Sequence, residues 1–103
     1  MPKLKEIAKA CKSKNAGPYE LTLDIMFEDQ ATFDKVRKTG VISPALIARL
    51  YDVPVESVVF TEFPPAFAYK ATIERRVVSG AVGDTDVYGA QQHAPLLDVD
   101  VPI

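Results

Sequence analysis

The chain has 103 residues, 48% of them hydrophobic, which predicts one domain over 1–103 with its own core but too little mass to enclose a deep active site unaided. A formal charge of −2, with no Lys/Arg stripe interleaved with aromatics, excludes the usual nucleic-acid binder. The lone Cys11 excludes a disulfide framework, and the lack of a signal peptide or a membrane-length apolar run predicts a soluble, cytoplasmic chain with no membrane partner.

In chain order, Leu4, Ile7, Ala8 and Cys11 fall at i, i+3, i+4 and i+7, the spacing of one helix face, and predict an added N-terminal helix. The run Lys12-Ser13-Lys14-Asn15-Ala16-Gly17-Pro18 follows as a turn, because Asn, Gly and Pro supply bends. Tyr19, Leu21, Leu23, Ile25 and Phe27 then alternate with Glu20, Thr22 and Asp24, the period-two pattern of a strand with one dry and one wet face. Asp29 is placed to cap a helix that carries Phe33 and Val36 and ends near Gly40. Ser43-Pro44 is a cap followed by proline at the first helical position, opening a helix with Leu46, Ile47 and Leu50 inward.

Ser57 to Phe63 is β-branched and aromatic and predicts a second strand, and Phe63-Pro64-Pro65-Ala66 is a stiff turn. Phe67, Tyr69, Ala71 and Ile73, alternating with Lys70, Thr72 and Glu74, predict a third strand. Gly89 to Leu96 predicts a short helix with Pro95 near its end, and Leu97, Val99 and Val101, alternating with Asp98 and Asp100, predict a last strand. The order β-α-β-β-α-β predicts an α+β, ferredoxin-like sandwich: a four-stranded sheet with helices on one face, plus the extra N-terminal segment. Leu21, Leu23, Ile25, Ile73, Val99 and Val101 should face the helices. The other face would offer Glu20, Thr22, Asp24, Lys70, Thr72, Glu74, Asp98 and Asp100, none of which stacks a base.

Charge is unevenly placed. Lys3, Lys5, Lys9, Lys12 and Lys14 crowd the start, whereas Asp84, Asp86, Asp98 and Asp100 mark the last twenty residues without a basic neighbour. The two runs attract if the ends meet, although exposed pairs of this kind contribute little.

Two clusters carry chemistry. From Ser79 to Pro95 the chain holds three glycines, Asp84, Asp86, Tyr88, Gln91, Gln92 and the only His, His93. Buried polar groups need partners, so such a segment is a solvated loop or a site. Asp84-Thr85-Asp86 is not a calcium loop, because Tyr88 takes the fifth position and Pro95 the place of the bidentate Glu. There is no phosphate-loop Lys-Ser/Thr after Gly80 and no second His for a transition metal, so neither metal nor cofactor is expected. Cys11, on an apolar stripe, is expected in the core. In the second cluster, Ser13, Lys14 and Asn15 offer a hydroxyl, an ammonium and an amide, groups suited to a carboxylate or phosphate. Read plainly, the second cluster is a turn and the first a glycine-rich loop whose acids cap it.

Three stretches carry a family resemblance: Leu-x-x-Ile-Ala at 4–8, Ser-Lys-Asn-Ala-Gly-Pro-Tyr-Glu-Leu-Thr-Leu-Asp-Ile at 13–25, and Ser-Gly-x-x-Gly-Asp-Thr-Asp-Val-Tyr-Gly-Ala-Gln-Gln-His-Ala-Pro-Leu-Leu at 79–97. They resemble the small AtuA-related proteins, free-standing relatives of the ferredoxin-fold C-terminal domain of the acyclic terpene utilisation protein AtuA. AtuA-type domains carry Ser-Gly-Asp-Lys-Gly where this chain has Ser13-Lys14-Asn15-Ala16-Gly17. The resemblance implies a companion to a large AtuA-like chain and a carboxylic acid or acyl-CoA as the substrate class, with hydratase- or lyase-type chemistry by analogy.

On that basis the chain is expected to be an accessory or co-catalytic small subunit. Ser13, Lys14, Asn15, Asp84, Asp86, Gln91 and Gln92 would bind ligand, and Tyr88 and His93 would polarise or protonate its reacting end. The alternative is a stand-alone, homo-oligomeric, small-carboxylate-binding regulatory module using the same loops. The 12–18 and 83–93 segments are expected to lie close together, as a single pocket within one chain requires.

Overall fold

Four strands form one antiparallel sheet in the computed structural model, which describes residues 1–17, 19–74 and 93–103. They are Ala8–Asn15 (β1), Glu20–Phe27 (β2), Val59–Phe63 (β3) and Ala68–Glu74 (β4), in the order β1-β2-β4-β3. The helices are Leu4–Ile7 (α1), Gln30–Thr39 (α2), Pro44–Tyr51 (α3) and Ala94–Leu97 (α4). This is the expected α+β architecture, compatible with a ferredoxin-like fold.

The helix signals act where the sequence puts them. Asp29 accepts the Thr32 N–H at 2.8 Å at the start of α2, and Gly40 closes that helix with φ 68°, a left-handed conformation that favours glycine. Ser43 accepts the Leu46 N–H at 3.2 Å with Pro44 behind it. Pro64–Ala66 forms a single 3₁₀ turn, and Phe67 takes φ 51° as its N–H bonds back to the Pro64 carbonyl at 3.0 Å.

The edge beside β2 differs from expectation. The predicted N-terminal helix is confined to Leu4–Ile7, and residues 8–15 form β1, so the polar run from Lys12 to Asn15 is strand and not turn. A register shift between Ala8 and Ala10 marks where helix-like spacing gives way to pleat. Because β1 occupies the free side of β2, the predicted last strand cannot pair beside β2. Among the described residues, 97–101 make one isolated bridge, Lys3 with Asp100. Pro95 lies in the first turn of α4, not near its end, where its missing N–H costs no helical bond.

The core lies between sheet and helices. Leu21, Leu23, Ile25 and Phe27 from β2 pack with Tyr69, Ala71 and Ile73 from β4, Phe33 and Val36 from α2, and Leu46 and Ile47 from α3. Phe33 stacks 5.3 Å from Tyr69 and 6.2 Å from Phe27, and Arg37 sits 5.5 Å over Phe33 while binding Glu62 of β3 at 3.0 Å. The C-terminal segment joins this core without joining the sheet, since Leu96 and Val101 are fully buried and Val99 nearly so. Glu20 is exposed as expected, but Thr22 is only 3% exposed. It is a short side chain in the middle of a central strand, flanked in register by Lys14 and Thr72.

The ends meet. Lys3 binds Asp100 at 2.8 Å and Lys5 binds Asp98 at 3.2 Å, while Leu4 N–H bonds to the Val99 carbonyl and Val101 N–H to that of Pro2. The backbone bonds and the burial of Leu4, Val99 and Val101 seat one terminus on the other, and the exposed lysine–aspartate pairs add little.

Candidate functional site

Strand alternation splits the polar cluster of Ser13, Lys14 and Asn15. Cys11, Ser13 and Asn15 are in register with Ile25, Leu23 and Leu21, so they lie on the helix-facing side of the sheet. Lys12 and Lys14 are in register with Asp24 and Thr22 on the opposite side, and both are exposed. Ser13, Lys14 and Asn15 therefore do not present three side chains to one anion from one face.

Ser13 is 7% exposed, and a buried hydroxyl needs a partner. His93, immediately before α4, supplies it: its backbone N–H donates to Ser13 Oγ at 3.1 Å, and its ring Nδ1 lies 3.5 Å from the same oxygen. One residue from each polar cluster is thereby brought into contact across a sequence separation of 80. With Oγ accepting the N–H, the Ser13 proton is available to Nδ1. In the tautomer that accepts it, Nε2 carries the ring proton.

Further along the inner side of β1 the surroundings are apolar. Burial pushes the Cys11 thiol up to about 11, so it is protonated at neutral pH and is not an activated nucleophile. Tyr51, at the end of α3, was not singled out from sequence. Its phenol is raised first by burial and then by the neighbouring Cys11. Only the fold, which brings the end of α3 near Cys11, reveals that neighbourhood.

Asp84, Asp86, Tyr88, Gln91 and Gln92 lie outside the described residues. Among the described residues, no three His, Cys, Asp or Glu side chains stand together to hold a metal ion, and no helix is long and apolar enough to cross a membrane. A groove of about 680 Å³ lined by Pro2, Lys35, Lys38, Thr39, Pro102 and Ile103 sits at the joined termini. A smaller one of about 350 Å³, between α3 and the C-terminal segment, includes Pro95 and Asp98. Neither is lined by Ser13 or His93.

No curated protein and no solved structure matches the chain. The family model for a domain of unknown function, DUF4387, matches residues 4–100. With almost its whole length covered by that match, the chain belongs to the DUF4387 family.

Proposed function

We propose that this chain is the small subunit of a two-chain, AtuA-like enzyme acting on a carboxylic acid or its CoA thioester, and that its part is to orient and protonate the reacting carbonyl end. The observation that carries the reading is the contact of Ser13 with His93, which joins one residue of each polar cluster at the edge of the sheet. The resemblance of 4–8, 13–25 and 79–97 to the small AtuA-related proteins supports the choice of partner and substrate class.

Ser13 acts as a positioning residue. Its hydroxyl holds both the His93 main chain and Nδ1, leaving Nε2–H to donate to a carbonyl or carboxylate oxygen. The 3.5 Å separation suits a site that tightens when a ligand pulls on Nε2. Tyr88 is the second proton carrier in this proposal, and Asp84, Asp86, Gln91 and Gln92, together with Asn15, line the ligand. Lys14, on the other side of β1, attracts the anion or the partner chain at longer range.

Co-purification tests the reading. A tagged chain should retain an AtuA-like large chain in equimolar amount, and His93→Gln should retain it equally well because the ring is not the docking element. Failure of the wild-type chain to retain the large chain, combined with a rise in melting temperature on adding a small carboxylate, would favour the stand-alone regulatory module.

A further inference from the structure

The far edge of the sheet carries an interaction surface. Among the described residues β3 is paired only with β4, so one side of its backbone is open. Proteins normally blunt such an edge with an inward charge, lysine, proline or a bulge. Val59-Phe60-Thr61-Glu62-Phe63 contains no Lys or Pro, and its register with β4 is unbroken. Its single charge, Glu62, points inward, in register with buried Tyr69, but it is paired with Arg37 at 3.0 Å, which leaves it a weaker guard of the edge than a free charge.

The outer side of β3 is apolar and exposed. Val59 and Phe63 are in register with Thr72 and Ala68, on the side away from the helices, and are 64% and 47% exposed. Of the exposed large hydrophobic side chains among the described residues, Met1, Tyr19, Val55, Val59, Phe63 and Ile103, half fall within 55–63. Val59 and Phe63 stand on one face of β3, either side of Thr61, with Val55 in the turn just before the strand, unlike the single scattered apolar groups of an ordinary surface.

We infer that β3 pairs antiparallel with β3 of a second copy of this chain about a two-fold axis at Thr61, joining two sheets into one of eight strands. The strand is self-complementary in that register. Val59 falls opposite Phe63 of the other copy and Phe63 opposite its Val59, giving two β-branched–aromatic pairs on one face, with Thr61 opposite Thr61 between them. Phe60 falls opposite Glu62, so no like charges meet. The two Lys70 side chains, each beside Thr61 on its own β4, stand about three strand spacings, roughly 14 Å, apart. A second copy is favoured over a foreign strand because the complementarity is complete within this one sequence. β1 is the opposite edge, so this dimer leaves Ser13 and His93 uncovered and does not depend on the proposed activity.

Sedimentation equilibrium on the full chain tests this. The wild type should show twice the monomer mass of 11.3 kDa at micromolar concentration. The double variant Val59→Lys/Phe63→Lys, which sets like charges across both pairs, should halve that mass with an unchanged circular dichroism spectrum, as both side chains are exposed. Val59→Lys/Phe63→Glu, which sets opposite charges across the same pairs, should restore the dimer. A monomeric wild type, a folded double-lysine variant that remains dimeric, or a charge-paired variant that stays monomeric overturns the inference. Should the double-lysine variant fail to fold, hydrogen exchange of the wild type decides. Slower exchange within 59–63 at high than at low protein concentration supports the seam, and concentration-independent exchange refutes it.

Discussion

Ser13 Oγ accepts the backbone N–H of His93 at 3.1 Å, so a strand at one end of the chain fixes the residue that starts α4 at the other. The stronger contact is made by the His93 main chain and the longer one, at 3.5 Å, by its ring. The two substitutions should therefore separate. Ser13→Ala removes the acceptor of a partly buried N–H and should cost about 1–3 kcal/mol in denaturant unfolding. His93→Ala keeps that backbone bond and should cost less. Equal costs would mean that the ring, and not the N–H, anchors the segment.

The C-terminal segment should matter to stability far more than a chain end usually does. Leu96 is fully buried in the same core as Leu23. Leu96→Ala and Leu23→Ala should each cost about 2–5 kcal/mol, while Lys14→Ala on the exposed side should change stability by less than about 0.5 kcal/mol. Urea unfolding of the three variants is the check.

Acid should weaken the fold through two carboxylates. The Thr32 N–H holds the Asp29 carboxyl below its ordinary range, and Lys3 does the same for Asp100. Because both are depressed in the folded chain, their contribution is present above the ordinary carboxylate pKa and is lost as pH falls through the lower folded value. Lys3 is raised, first by its hydrogen bond to Asp100, so its contribution is lost only as pH climbs past its ordinary 10.5. Melting temperature should thus be flat near neutrality and fall below about pH 4. Asp29→Asn, which keeps the cap but cannot titrate there, should fall less on acidification than the wild type.

Much of this fold was legible because its signals are local. Asp29, Gly40 and Ser43-Pro44 each act within one helical turn, and the apolar alternation of β2 and β4 is strong enough to fix a face. β1 was hidden because its inward positions are Cys11, Ser13 and Asn15, small or polar groups that give no hydrophobic alternation. Leu4, Ile7, Ala8 and Cys11 meanwhile imitate a helix across the boundary between α1 and β1. Residues 97–101 misled in the opposite sense: Val99 and Val101 alternate and are buried, but burial came from packing against the N-terminal segment and not from a ladder. For the site, sequence could name Ser13 and His93 as candidates. Only the long-range pairing could show that they touch, and that Lys14 faces away.

Cys11 gives an independent check on the inner side of β1. With its thiol pushed up to about 11 by burial, alkylation by iodoacetamide at pH 8 should be slow in the folded chain and speed up at least tenfold in denaturant. Rapid labelling of the folded chain would mean that the wall beside Ser13 is open to solvent.

The role proposed for His93, oriented by Ser13, is to handle protons for a partner enzyme. Its most direct test is steady-state turnover of CoA thioesters by an AtuA-like large chain, alone and with equimolar wild-type, His93→Gln or Ser13→Ala chain. Turnover should be small without the small chain and full with the wild type, and kcat should fall about 10²-fold or more with His93→Gln, the typical worth of general acid–base catalysis, with little change in KM. Ser13→Ala should fall between the two. Full turnover by the large chain alone, or a His93→Gln chain as effective as the wild type, would contradict it.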